Sequence, residues 1–261
     1  MNRPIVFLSD YGTTDDFVGV CHGVIAGIAP DALVIDLTHG LPRHDVLRGA
    51  ITLARSARFM PEGAVHLAVV DPDVGTARRG IAVECARGQT LVGPDNGLLS
   101  LAWAALGGAV QAVEITSERV LLRPVSHTFH GRDVFAPAAA HLSTGVPLDA
   151  LGPTIPVTAL ERVSFPDATV SPGRLEATVI GVDGFGNVQL SAGSEQLSAA
   201  GLANSFTVGG RVVPLAVTFA ELEPGTLGAV IDGDGFVALA VDRGNAAELL
   251  GLAAGDRVVL D

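Results

Sequence analysis

The sequence predicts two domains of different class: an α/β domain with a largely parallel sheet, followed by an all-β barrel domain. Two observations carry that expectation. Up to residue 142, short apolar runs alternate with longer stretches of helical periodicity; beyond residue 174 only short apolar runs remain, separated by glycines. Between them, Pro153, Pro156, Pro166 and Pro172 interrupt every periodic pattern, so the expected layout is an α/β domain over 1–152, a linker over 153–173 and a β domain over 174–261.

The first strand is the apolar run 5–9, ending at Asp10. Asp15 and Asp16 then open a helix with Val18, Cys21, Ile25 and Ile28 on one face, and carboxylates there suit the positive end of the helix dipole. A strand over 32–37, a helix over 45–59 and a strand over 65–70 continue the alternation. Strands at 81–85 and 91–92, a helix over 96–105, a strand over 110–115 and a helix over 132–142 complete it. Repeated β-α-β units imply parallel strands covered on both faces. In the second half, apolar runs at 175–182, 187–190, 206–208, 212–217, 227–231, 236–241 and 257–260 read as strands. Gly209-Gly210 between two of them marks a hairpin.

Composition removes several kinds of chemistry. All 16 basic residues are arginine, so Schiff-base, pyridoxal and Walker-type mechanisms, which need a lysine amine, are excluded. A net charge of −12 opposes binding to nucleic acid or to anionic membrane. No apolar run approaches the roughly 18 residues of a membrane span, and a cytoplasmic protein is expected. Cys21 and Cys85 have no paired spacing and read as buried thiols. No Gly-x-Gly-x-x-Gly follows a strand, so no dinucleotide loop is expected.

Polar residues gather where the strands end: Asp10 after the first, His39 and His44 after the second, Asp71 after the third. The stretch Asp71-Pro72-Asp73-Val74-Gly75-Thr76-Ala77-Arg78-Arg79 places carboxylates and guanidiniums in one turn, at the strand ends where open α/β sheets bind ligands. In Thr128-Phe129-His130-Gly131-Arg132-Asp133 an imidazole stands just before a helix that Asp133 can help to cap, and His130 is the general-base candidate by residue type. His22, His66, His127 and His141 read as structural. Two glycine-rich stretches in the second half, 183–187 and 232–235, read as turns by pattern alone.

Together, six ordered motifs resemble the S-adenosyl-L-methionine hydroxide adenosyltransferases, relatives of the fluorinase and chlorinase. They are Ser9-Asp10-x-Gly12-Thr13-x-Asp15-Asp16, Val70-Asp71-Pro72-x-Val74-Gly75-Thr76, Pro94-Asp95-Asn96-Gly97-Leu98-Leu99, Thr128 to Asp133, Asp183-x-Phe185-Gly186-Asn187 and Asn245-Ala246-Ala247. The resemblance implies hydrolysis of S-adenosylmethionine by water attack at the ribose C5′, giving adenosine and methionine, with no cofactor or metal. It also implies a homotrimer whose active sites lie where one subunit's first domain meets a neighbour's second.

The residues that mark the hydrolase branch fall on Asp71, Arg78 and His130, where the halogenating relatives have Tyr at the first and last positions and the fluorinase has Ser at Gly131. Asp71 and His130 would orient and deprotonate water, with Arg78 holding the Asp71 carboxylate in a bidentate pair and keeping it ionised. Asp10 would receive the ribose hydroxyls, Asp183 the methionine ammonium, Asn187 and the Ala246 backbone the adenine edge, and Phe219 its face. His44, Phe129 and Asn245 complete the implied binding set. His44 stands where the fluorinase has a ribose-packing Trp, and Asp234 where it has an Arg.

Two other functions use the same residues. A metal-dependent phosphohydrolase would employ Asp10, Asp15, Asp16 and His39. A non-catalytic nucleoside or S-adenosylmethionine sensor would need Asp10 and Asn187 but not Asp71, Arg78 and His130.

Overall fold

A computed structural model describes residues 2–261. The chain divides into two compact units, one ending at Val163 and the other beginning at Ser164.

The first unit is built on a seven-stranded sheet. Strands β1 (Ile5–Ser9) and β3 (Val65–Val69) are buried on both faces, which accounts for their near-unbroken apolar sequences. β1 pairs in parallel with β2 (Val34–Thr38) and with β3, and β3 pairs in parallel with β5 (Thr90–Pro94). Beyond β5 the direction changes. β4 (Gly80–Cys85) runs antiparallel to β5 and to β6 (Ala109–Glu114), and β6 runs antiparallel to the short β7 (Thr154–Ile155). The sheet, in the order β2-β1-β3-β5-β4-β6-β7, is therefore mixed rather than largely parallel. β4 and β5 are joined by a tight turn in which Gly88 takes φ 78° and returns its N–H to the Cys85 carbonyl, so no crossover helix is needed.

Helices cover both faces. Alternation along β1 sends Ile5 and Phe7 into one core with α1 (Phe17–Ile28) and α4 (Ala136–Ser143), and Leu8 into another with α2 (Val46–Ala57) and α3 (Ser100–Ala105). Burying a side chain the size of Phe7 or Leu53 contributes about 1.5–3 kcal/mol. Asp45 caps α2 by accepting from the Arg48 N–H at 2.9 Å. α1 leaves β1 over one face and α2 leaves β2 over the other, so the chain reverses its winding between β1 and β3. Their carboxyl ends form the crevice where open α/β sheets hold ligands.

The second unit carries β8 (Thr169–Ser171), β9 (Arg174–Val182), β10 (Val188–Gly193), β11 (Ser205–Val208), β12 (Arg211–Ala216), β13 (Leu227–Ile231), β14 (Phe236–Val241) and β15 (Arg257–Leu260). They form a curled half-barrel in the order β11-β12-β13-β14-β10-β9-β15, with β8 on β9. Gly209 and Gly210, both at positive φ, turn β11 into β12 as the sequence suggests. The unit is not all-β, because α5 (Ser194–Ala200) and α6 (Ala246–Leu250) pack against it. Both helices are short, and each ends at a glycine in the left-handed conformation. Within the proline-rich stretch, β7 joins the first sheet and β8 the second. No helix among the described residues is long and apolar enough to cross a membrane.

Candidate active site

The loops after β1 and β3 and the segment before α4 enclose a cavity of about 380 Å³ in the first unit, with Asp10, Tyr11, His44, Asp71, Phe129 and His130 in its lining. The loop after β3 folds on itself through the Thr76 N–H to the Asp73 carbonyl and the Arg78 N–H to the Thr76 hydroxyl, 3.2 Å each. That fold turns the Arg78 side chain back toward Asp71. Gly75 has φ +81°, and a Cβ there would come within 2.1 Å of the His127 carbonyl oxygen. The loop can thus lie against the segment that carries His130 only because residue 75 is glycine.

Asp71, Arg78 and His130 meet. One Arg78 Nη2 donates to Asp71 Oδ2 at 2.6 Å and to His130 Nδ1 at 2.8 Å. Arg78 Nη1 donates to the Arg79 carbonyl, and its guanidinium lies 5.3 Å from the centre of the Phe135 ring. The expected bidentate pair is therefore absent: Nη2 is divided between a carboxylate and an imidazole, Nη1 is used on the backbone, and Nε is buried without a hydrogen-bond partner. Nor does Arg78 determine the Asp71 ionisation as expected. Burial pushes the Asp71 carboxyl above its ordinary range and outweighs the pull of Arg78, with Asp73 and Asp10 adding repulsion. Asp71 Oδ1 is buried and has no hydrogen-bond partner.

His130 is lowered, first by burial and then by the Arg78 charge. It is neutral at neutral pH. An arginine can only donate, so Nδ1 must be the acceptor and the ring proton sits on Nε2. His130 stands just ahead of a π-helical turn, Gly131–Phe135, that leads into α4, and such turns recur at functional sites. Asp133 does not cap this turn. It is wholly buried, accepts from both Arg132 Nε and Nη2 and from the Ser126 N–H at 2.8 Å, and so fixes the approach to His130.

Asp10 accepts from the His44 backbone N–H at 2.9 Å, and His44 holds φ 66°, a left-handed conformation unusual for a residue with a Cβ. Tyr11, Phe17 and Phe129 form an aromatic cluster with ring centres 5.3–5.9 Å apart. Tyr11 was not among the sequence candidates. Its hydroxyl occupies the space beside Gly131, 2.0 Å from where a Cβ would stand, and burial keeps the phenol protonated. The available signal was its place between Asp10 and Gly12, where a buried aromatic reads equally well as core.

The other implied binding residues belong to the second unit. Asp183 accepts from the backbone N–H groups of Phe185 and Asn187 and from Asn187 Nδ2, all at 2.8–2.9 Å. Asn245 caps α6 by accepting from the Glu248 N–H, and Gly186 packs directly on Asn245 while accepting from the Ala247 N–H. Asp183, Asn187, Asn245 and Ala246 are thereby brought together. Phe219 opens a separate 3₁₀ turn, half exposed. Asp232 gathers the N–H groups of Asp234 and Phe236, as a turn does.

The residues of the phosphohydrolase alternative do not converge on an ion. Among the described residues, one group of His, Cys, Asp or Glu has ligand atoms close enough to hold a metal, and it is His22, Asp36 and His39. Arg79 is paired to Asp95 at 2.5 Å, and the Asp73 carbonyl accepts from the Thr76 N–H and hydroxyl.

Comparisons with known proteins agree on one family. The model for the SAM hydroxide adenosyltransferase N-terminal domain matches residues 5–152, and that for its C-terminal domain matches 177–259. An (R)-S-adenosyl-L-methionine hydrolase from Salinispora tropica is 48% identical over 254 residues, covering 97% of this chain and 96% of its own length. A fluorinase from Actinopolyspora mzabensis is 32% identical, over 92% of this chain and 91% of its own. The crystal structure of an uncharacterized conserved protein from Thermotoga maritima superposes with a TM-score of 0.90 at 33% identity, covering 98% of this chain and 99% of that one.

Proposed function

The chain belongs to the SAM hydroxide adenosyltransferase family, and from that premise we infer that it hydrolyses S-adenosyl-L-methionine to adenosine and L-methionine. Water attacks the ribose C5′ as the C5′–sulfur bond breaks, the electron pair of that bond stays on the methionine thioether, and one water proton is released. The sulfonium is already a good leaving group. The protein's task is to hold one water in line, exclude others and accept the proton.

The observation that carries the mechanism is the unpaired Asp71 Oδ1 beside the Asp71, Arg78 and His130 contact. We assign the proton to Asp71. Its second oxygen is anchored by Arg78, its first is free to accept from water, and its raised affinity for protons suits it to the task. His130 cannot serve at Nδ1, which is committed to Arg78, and its Nε2–H makes it a donor that orients the water oxygen. Asp10 is assigned to the ribose hydroxyls, with His44 and Phe129 beside them. Asp183 is assigned to the methionine ammonium, Asn187, Asn245 and Ala246 to the adenine edge, and Phe219 to its face.

We extend the proposal to assembly as a homotrimer in the cytoplasm, with 1–152 and 174–261 as the functional domains and the half-barrel completed as a barrel through the Thr207 and Asp261 backbone pair. Since the Salinispora tropica relative is named for the (R) form, that epimer at sulfur is proposed as a substrate here too.

Incubation with S-adenosylmethionine in ¹⁸O-labelled water and chloride buffer tests the reaction. Adenosine labelled at the 5′ oxygen is expected. Formation of 5′-chloro-5′-deoxyadenosine, or substrate left intact after long incubation, would overturn it.

A further inference from the structure

On the α1 side of the sheet, the His22 and His39 rings both direct Nε2 at Asp36 Oδ1, at 2.9 and 3.0 Å. His22 lies on α1, Asp36 on β2, and His39 just after β2. Ligand atoms of the three residues lie within 4.8 Å of one another. We propose that His22, Asp36 and His39 form a binding site for a divalent transition-metal ion of the zinc class, which clamps α1 to β2.

The donor set is two imidazoles and one carboxylate, the combination that borderline ions such as Zn²⁺ favour over Mg²⁺ or Ca²⁺. Bonds of about 2.0–2.2 Å to nitrogen and oxygen put tetrahedral ligands a little over 3 Å apart, close to the two nitrogen–oxygen separations present. The His39 side chain is only 5% exposed, whereas those of His22 and Asp36 are 34% and 44% exposed. One ligand is thus rigidly placed, and the other two can draw in while leaving a coordination position open to water.

The outer shell already exists. His39 Nδ1 lies 2.7 Å from Ser9 Oγ, and that hydroxyl can donate to the ring or accept from it. Without metal, Nε2–H of His39 donates to Asp36, with Ser9 donating to Nδ1. With metal, the ring proton moves to Nδ1, donates to Ser9 and frees the Nε2 lone pair, and no heavy atom of His39 or Ser9 needs to shift. Histidine ligands are usually oriented this way by a partner on the other ring nitrogen. Phe7 packs beneath both rings, with centres at 6.0 and 4.6 Å. Ser9 also accepts from the Tyr11 N–H at 3.3 Å, and the His39 carbonyl accepts from the Gly12 N–H at 2.7 Å, so the clamp adjoins the loop that bears Asp10. The ion's role is structural, since its ligands include none of the residues assigned to the reaction.

Metal-stripped full-length protein titrated with Zn²⁺ by calorimetry, and with Co²⁺ by visible absorption, provides the test. About one ion per chain is expected, with a tetrahedral Co²⁺ spectrum and a melting temperature that rises with metal concentration. His22→Ala should abolish that equivalent and the thermal shift while leaving metal-free hydrolysis unchanged, and Ser9→Ala should weaken the metal by about 10-fold to 100-fold. Absence of a bound equivalent, or binding that His22→Ala leaves intact, would overturn the proposal. A further variant, Asp36→Asn, keeps the hydrogen bonds from the rings but offers a poorer ligand, so unchanged affinity there would equally exclude the site.

Discussion

The two regions assigned to substrate differ in how they are held. In the first unit, Asp71 and Arg78 from one loop meet His130, 52 residues beyond Arg78, are locked by one guanidinium, and leave a buried carboxylate oxygen unpaired. In the second, Asp183, Asn187 and Asn245 satisfy themselves through local turn and cap bonds, and the neighbouring Phe185 is 83% exposed. A site that must perform chemistry retains an expensive unsatisfied group within a rigid frame. A site that must only bind presents turn residues whose geometry is fixed by their own backbone.

Substitutions should separate the two regions. The largest effect is expected from Asp71→Asn, which keeps the shape but removes the base: turnover should fall by about 10³-fold or more, with substrate affinity nearly unchanged by calorimetry. Next is Gly131→Ala, whose Cβ would meet the Tyr11 hydroxyl. A loss of about 10²-fold in kcat is expected, partly restored by adding Tyr11→Phe, and absence of that rescue in the double mutant would detach Tyr11 from the effect of Gly131 on the cavity. Asp183→Ala should act mainly on KM, raising it about tenfold through loss of a charge-assisted contact and of the turn it organises. An equal fall in kcat alone would erase the contrast between the regions.

The pH profile offers the gentlest test. Because burial raises the Asp71 pKa, the carboxylate required as base is lost at a higher pH than usual, so the acid limb of kcat/KM should lie above the ordinary value of about 3.9. His130, lowered by burial and by Arg78, takes up its proton at a lower pH than an ordinary imidazole and adds its own loss on the acid side. An acid limb at or below 3.9 would contradict the assignment.

Much of this was legible in the sequence, for identifiable reasons. Asp71 and Arg78 lie in one turn after a strand, so their proximity is local, and β1, β2 and β3 are announced by apolar runs that end in polar residues. His130 joined them only through the ordered motifs, because nothing local specifies a contact across 52 residues. The mixed sheet was missed since apolar runs carry no direction, although the short Arg87-Gly88 turn between β4 and β5 was a hairpin signal. Helix α6 escaped for its length, yet Asn245 with Glu248 three positions later is a cap signature. The Asp71 protonation shift depends on burial, which the turn's charged composition concealed. The His22, Asp36 and His39 cluster required a helix to be laid against a strand, and no spacing rule supplies that.

The division of labour between Asp71 and His130 is decided most directly by the tautomer of His130. In ¹⁵N-labelled protein at neutral pH, NMR should show a neutral His130 ring with its proton on Nε2 and with Nδ1 accepting a hydrogen bond. A ring protonated at Nδ1, or at both nitrogens, would contradict the geometry that makes Asp71 the base.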